Sequence, residues 1–379
     1  MRAQLARDFE RFAGGLPRDF ADHIRGAYRI DLAARYLGFP LPHPIGKGSG
    51  QLSLNQEQLE NDRAAGLAFV VLKTVIAEDA AGVRAMDAWA IHETRMKVET
   101  VRSASGLEGW TVTWKGRGWD RSFADYLELV RTAAEMTRSG GMVVVPSVKY
   151  HLPLMDEGFR EGEYRHTTER LAQAWGGGPL ALEKDFSPTL AGDVLSDERA
   201  RIIRWLEEVP ALIRRSAGES SVRVALKLMN ARHGESFQLD MVEAAGGADA
   251  LVCFNRLWSA ERGVAYGGYD LSDRNLRALA AVKAARIHRP PLSGTGNISS
   301  GRMLLEYARL GCESVQLHTL FQLPLSEYPA TAGSRTQRAL HLLLFHPEGG
   351  LIAGMLDLEA SGRVHRRGGE LRFLDVPQS

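Results

Sequence analysis

The chain has 379 residues, with 47 Lys+Arg against 46 Asp+Glu and only two cysteines. That length exceeds one small core and suits two modest domains or one large α/β domain. A formal charge of +1 gives no electrostatic case for nucleic acid or an anionic membrane as a partner, and Cys253 and Cys312 cannot supply a disulfide framework or a four-thiolate cluster.

The N-terminus is charged from Arg2 onward and lacks the apolar core of a signal peptide. No run reaches the ~18 apolar residues of a membrane span. A soluble, cytoplasmic protein is expected. Residues 1–40 carry helical patterning over Arg18–Tyr36 and read as a helical cap. Short apolar runs then alternate with longer amphipathic stretches. Strands are expected near Pro44-Ile45 and at Ala68–Leu72, Met142–Val145, Pro179–Leu182, Val222–Leu226, Ala250–Phe254, Arg289–Leu292 and Ser314–Leu317. Arg289–Leu292 is the weakest of these, because its two prolines cannot donate to a ladder. Helices are expected over Leu54–Ala65 with Ser53 as N-cap, and over Ser122–Arg138, His166–Trp175, Ser196–Ser216, Ser236–Ala245, Ser272–Ala285 and Ser300–Leu310. Eight strands alternating with helices point to a (β/α)₈ barrel over 41–325, with a doubly wound open sheet as the alternative. Residues 76–121 read as a lid-like insertion and 326–379 as a C-terminal extension, helical at Thr336–Phe345 and strand-prone over Gly362–Val376.

In either architecture ligands sit at the C-terminal strand ends, so the residues just past each apolar run matter most. Lys73 and Thr74 follow one run and Lys227 another. A lysine flush with a buried strand asks for an anionic partner, unless it snorkels to solvent or pairs with a structural carboxylate. Glu183-Lys184-Asp185 leads to Ser187 at a turn fixed by Pro188, which a capped loop with a surface ion pair would also explain. Asn255 and Arg256 could recognise carbonyl or carboxylate groups. Ser293-Gly-Thr-Gly-Asn-Ile298, followed by a helix, stands where a barrel places a phosphate, although an ordinary strand–helix turn reads the same. No metal-ligand pattern is read.

The order of these motifs resembles the dihydroorotate dehydrogenase family of FMN-dependent (β/α)₈ barrels. Pro44-Ile-Gly-Lys-Gly-Ser-Gly50 resembles its opening segment, with Gly48 and Ser49 then facing the cofactor. Lys73 with Thr74, and Lys227, fall on its two flavin-contacting lysines, and Asn255 on its strand-six asparagine. Gly267-Gly268 matches the following loop, Gly294-Thr-Gly-Asn297-Ile its phosphate loop, and Gln316-Leu-His318-Thr319 its closing motif. The resemblance runs from about Leu41 to Gln322 and implies bound FMN. Ser187 falls on the base position of the catalytic loop, with Lys227 stabilising negative charge on the reduced ring. Trp114, Lys184 and Thr189 stand where the family grips the orotate ring with asparagines, and Arg256 replaces a small hydroxyl residue. A lysine only donates where an amide donates and accepts, which implies a more anionic substrate than dihydroorotate, with Trp114 and Trp119 as a stacking wall.

The resulting expectation is an FMN oxidoreductase acting on a CH–CH or C=C bond beside a carbonyl of a small anionic substrate. It would use a soluble electron acceptor and, like its relatives, form a homodimer. Two alternatives stand beside it: a true dihydroorotate dehydrogenase, and a non-redox phosphate-binding barrel serving as a lysine-dependent lyase or binding protein.

Overall fold

The structure, a computed structural model, describes residues 1–85, 97–102, 108–113, 118–186, 199–231, 233–259, 264–266 and 270–378. It opens with α1 (Arg2–Arg11) and α2 (Phe20–Tyr28). The helical pattern expected over Arg18–Tyr36 stops at Tyr28, where Arg29 adopts a left-handed φ of 56° and turns the chain extended. There follow β1 (Ile30–Asp31) and an antiparallel hairpin of β2 (Ala34–Tyr36) and β3 (Phe39–Leu41). Its two-residue turn uses positive φ at both Leu37 and Gly38, the arrangement that matches the twist of the flanking strands. The first forty residues are therefore part helix and part strand, not helix throughout.

The main sheet begins with β4 (Ile45–Lys47) and continues, after α3 (Gln56–Ala64), with β5 (Phe69–Val71) and β6 (Val75–Ile76). The N-cap of α3 is Asn55, whose side chain accepts from Gln58 N at 2.9 Å, and not Ser53. Ser53 is buried, and its carbonyl instead accepts from Lys73 N. The insertion carries a hairpin of β7 (Lys97–Arg102) and β8 (Glu108–Thr113). Next come α4 (Phe123–Ser139), β9 (Val143–Val145), β10 (Ser147–Lys149), α5 (Glu161–Trp175), β11 (Leu180–Asp185), α6 (Arg199–Arg215), β12 (Val222–Lys227), α7 (Glu235–Ala244) and β13 (Ala250–Cys253). A short antiparallel pair, β14 (Leu257–Ser259) and β15 (Val264–Tyr266), precedes α8 (Asp270–Ala285), β16 (Leu292–Thr295), α9 (Gly301–Arg309) and β17 (Cys312–Leu317). The chain ends with α10 (Arg335–Phe345), α11 (Leu351–Ala360) and β18 (Leu371–Arg372).

Ten strands form one all-parallel sheet in the order β6-β10-β11-β12-β13-β16-β17-β4-β5-β9. The sheet curls into a barrel-like α/β fold. Its strands are buried on both faces, as in a parallel sheet covered by helices. There are ten strands and not eight because two apolar runs are each broken in the middle. Pro146, with no N–H to give, separates β9 from β10 while its carbonyl still accepts from Glu183 N. Leu72–Thr74 separates β5 from β6 where Lys73 N leaves the ladder for Ser53 O. The strand expected at Arg289–Leu292 starts instead at Leu292: Pro291 only accepts, from Leu251 N, and the ladder begins once the prolines are past.

At the N-terminal strand ends the β2–β3 hairpin plugs the sheet. Tyr36 stacks on Phe69 with ring centroids 4.7 Å apart. The Phe69 ring fills the space that a Cβ on Gly46 would need. The terminal segments, read from sequence as separate additions, interlock. β1 pairs in parallel with β18, and Arg2 binds Asp357, Pro347 O and Ala353 O. The strand-prone stretch Gly362–Val376 yields only the two residues of β18 and part of a closing 3₁₀ turn. Among the described residues no helix is long and apolar enough to cross a membrane.

Candidate functional site

Successive strands of the sheet end in cations. Lys47 closes β4, Lys73 follows β5, Lys149 closes β10, Lys184 is the penultimate residue of β11, Lys227 closes β12, and Arg256 lies just beyond β13. All five lysines are buried. A buried ammonium is costly without a counter-charge, and three of the five stand close to a named carboxylate. Lys47 Nζ lies 2.5 and 2.7 Å from the two oxygens of Asp62, Lys149 Nζ 3.6 Å from Asp185, and Lys227 Nζ 3.7 Å from Glu183. Burial, with Arg256 and Lys149 adding repulsion, pushes Lys73 down to about 7 against the pull of Asp185 and Asp120.

These charges converge on one side chain. The His318 imidazole, just past β17, is held well below the ordinary histidine range by burial, then by Arg256, Lys73, Lys47 and Lys227. It is half-buried, hydrogen-bonds to Gln322, and lies where any side chain on Gly50 would collide with it. The shift reports a positive local field at the strand ends, which would favour an anion there.

Beneath this cluster lies a buried floor. Glu183 Oε2 accepts from Tyr36 OH at 2.8 Å and from Gln316 Nε2 at 2.7 Å, while Lys227 Nζ is 3.4 Å from Gln316 Oε1. Period-two alternation puts Glu183 and Asp185 on one face of β11 and Lys184 on the other. Lys184 is fully buried, donates to Asp185 O at 3.1 Å, and sits 4.4 Å from the centroid of the Phe186 ring. Its charged neighbours are Asp185, Lys149 and Glu163 of α5, and burial brings it down to about 7. The structure thus places Lys184 toward α5, apart from the cations around His318. Beside the floor a hydroxyl chain runs from Ser49 to Thr74 to Ser147, each step 2.9 Å, so Ser49 and Thr74 do come together.

The loops after β12, β13 and β16 are braced by Asn275 of α8. Its Nδ2 donates to Phe254 O and Thr295 O, each at 2.8 Å, and its Oδ1 accepts from Asn230 Nδ2 at 2.8 Å. Asn230 Nδ2 also reaches Asn255 O, and Arg274 Nε donates to Asn230 Oδ1. Asn255, Arg256, Gly294, Gly296 and Asn297 are thereby held on one scaffold. Gly296 (φ 113°) and Asn297 (φ 53°) take left-handed backbone. Gly294 is required by the Tyr307 ring, which lies 2.6 Å from where its Cβ would be. The N-terminus of α9 is already served: Ser300 caps Met303 N, and Arg302 N donates to Gly349 O. Any anion at this loop would be held by the loop amides and not by that helix end. Thr319 opens the 3₁₀ turn Thr319–Gln322, against which β8 of the insertion packs. Gly48 is buried beside Lys227 and Gln316.

Ser187, Thr189, Trp114 and Gly268 lie outside the described residues. Trp119 is buried, its Nε1 donating to Ser122 O at 2.8 Å, so it packs as structure and is no stacking wall. Sequence reasoning passed over Lys47 as a charged group, and Lys149, Tyr36 and Asn275 altogether. One signal was available for the lysines. Only eight of the 47 basic residues are lysine, and of the six whose side chains are described only Lys283 is exposed. Among the described residues no group of three or more His, Cys, Asp or Glu is placed to hold a metal. No family model matches the chain, and no curated protein matches it.

Proposed function

We propose that the chain is an FMN-dependent oxidoreductase of the dihydroorotate dehydrogenase type, acting on a C–C bond beside a carbonyl of a small anionic substrate. The observation that carries it is the row of buried lysines at neighbouring strand ends, Lys47, Lys73 and Lys227, with Arg256 just beyond β13. We read the fold as a (β/α)₈ barrel: counting β5 with β6 and β9 with β10 as single strands, the pairings run round eight positions from β4 back to β17.

The donor set fits FMN. Lys73, Lys227, the Ser49 and Thr74 hydroxyls and the amides of 294–298 combine cations and N–H groups suited to a phosphate ester and an electron-rich ring. Bound there, FMN would supply the hydride acceptor. Lys227 would lie at the ring edge where negative charge develops, and Arg256 and Asn255 would orient the substrate carboxylate. Ser187 would take the substrate proton at Oγ, through a relay, because a serine has little basicity of its own. A dimer, a soluble acceptor and a cytoplasmic location belong to the same proposal.

The test is a titration of purified protein with FMN followed in the visible range. Stoichiometric uptake with shifted flavin bands is expected, and protein that takes up no FMN overturns the proposal. Bleaching by dihydroorotate would point to the ordinary family substrate. One observation favours a non-redox reading: Lys73 at about 7 is poised as an amine nucleophile. Borohydride trapping of a carbonyl ligand on Lys73, without flavin uptake, would establish it.

Lys73 also gives a pH signature. Its folded value of about 7 lies below the ordinary lysine value, so between the two the unfolded chain holds a proton that the folded chain has released. Stability contributed by this group therefore rises with pH above about 7, while below it the cost of burying the charge is paid in full. An anion restores the proton. At about pH 8, where the phosphate is already a dianion, FMN or phosphate binding should take up about one proton, by calorimetry in buffers of different ionisation heat. Lys73→Met should abolish the uptake.

A further inference from the structure

We propose that Glu183 is the positioning residue for Lys227: an internal counter-carboxylate that keeps the ammonium at the barrel axis within reach of an incoming anion. The proposal rests on reading Lys227 as the flavin-facing lysine.

Glu183 is fully buried in the sheet interior, where an ionised carboxylate needs strong partners. Its close partners are both neutral and both on Oε2: the Tyr36 hydroxyl and the Gln316 amide. Oε1 accepts no hydrogen bond among the described residues, and the nearest cation, Lys227 Nζ, stands 3.7 Å away. The same ammonium is 3.4 Å from Gln316 Oε1. Lys47 and Asp62 show what a clamped pair looks like in this protein, at 2.5 and 2.7 Å. Lys227 is tethered and not clamped. Its charge is offset from below by Glu183, while the contact is too long to saturate its N–H groups.

The neutral partners explain the geometry. Tyr36 arrives from the hairpin that plugs the sheet, and Gln316 from β17, two residues before His318. Together they fix the carboxylate from beneath and leave its second oxygen turned to Lys227. Burial and Glu183 hold the Tyr36 hydroxyl well above the usual tyrosine range, so it stays a donor throughout the physiological range. Among the described residues the groups around Lys227 include Glu183 and its ladder partner Asp185 from β11, the Tyr36 hydroxyl from β2 and His318 from the loop after β17. Removing the first takes from a desolvated ammonium its nearest carboxylate and leaves Asp185, already paired with Lys149, as the next.

The chain has only eight lysines, so protein labelled with [ε-¹³C]lysine gives a countable spectrum, and Lys227→Met assigns the signal. In Glu183→Gln the Lys227 signal is expected to move from its charged to its neutral position at least about one pH unit lower than in the parent, a change of about tenfold in proton affinity. Equal midpoints in parent and variant overturn the proposal. Should that variant fail to fold, Glu183→Asp keeps the charge but withdraws it by one methylene, and a smaller change of the same sign is expected. Adding FMN to the parent separates the two claims. A Lys227 signal that responds to Glu183→Gln but not to FMN supports the pairing and overturns the flavin reading. One that responds to FMN but not to the substitution does the reverse.

Discussion

Replacing Asp62 with alanine should cost about 3–5 kcal/mol of stability, the range for removing one partner of a buried ion pair. Lys47 and Asp62 are both buried, and Thr336 Oγ1 donates to the same carboxylate at 2.7 Å. The pair joins β4, α3 and α10, and the Lys47 ammonium also lies 4.9 Å from the centroid of the Phe321 ring. Without Asp62 the close contacts left to that ammonium among the described residues are the Thr336 hydroxyl and the Phe321 ring face. Burial already pushes Lys47 below the ordinary lysine value, and Asp62 is what opposes this. In Asp62→Ala the opposition is gone, so the variant should recover part of its stability as pH rises and Lys47 gives up its proton. A second substitution, Lys47→Met, should restore most of the loss at every pH, because the penalty belongs to the stranded charge and not to the missing attraction. Urea denaturation of the four proteins of the cycle at about pH 6 and about pH 9 measures this. A double variant as unstable as Asp62→Ala would show that the carboxylate acts through Thr336 alone.

The same pair shows what can be read in this sequence. The strands were legible because runs such as Val143–Val145 and Ala250–Cys253 are apolar without alternation, and helices because Ser122 and Ser300 announce themselves as caps. The lysines flush with strands, Lys73 and Lys227, were legible as charges in a costly place. Their counter-charges were not. Asp62 sits in α3, where an acidic residue looks like an ordinary solvated one, and Glu183 is one carboxylate in a charged cluster. Pairing across elements leaves no local mark, since each partner is separately unremarkable in its own segment. Tyr36 was hidden inside a stretch whose pattern reads as helix, and left-handed Arg29 gives no compositional warning. Asn275 was hidden for a related reason: mid-helix asparagine carries no signal until the three loops it braces are brought beside it. Residue choice carried more than position did. The exposed basic residues are almost all arginine, which is charged wherever it is placed. The buried ones are lysine, whose proton affinity a site can tune.

Gly296→Ala should damage anion binding. The residue has φ 113°, a region that costs a residue with a Cβ about 1–3 kcal/mol. The added carbon would also fall 2.0 Å from Asn275 Nδ2 and 3.0 Å from Phe254 O. The loop cannot relax by moving the asparagine alone, because the same amide holds Phe254 O and Thr295 O. Nor can it move outward freely, since Tyr307 OH donates to Gly296 O at 3.1 Å. Displacing Asn275 frees the loops after β12, β13 and β16 together, and Asn255, Arg256 and Asn297 with them. The expected result is FMN affinity reduced about 10- to 100-fold, since each 1.4 kcal/mol is a factor of ten. The barrel core itself should still fold. Asn275→Ala separates the two contributions. It removes the obstacle to the new methyl but also the brace, so Gly296→Ala added to it should cost little beyond the backbone penalty. If the two substitutions are instead additive in FMN titrations, Gly296 is required by its own dihedrals and not by its contact with Asn275.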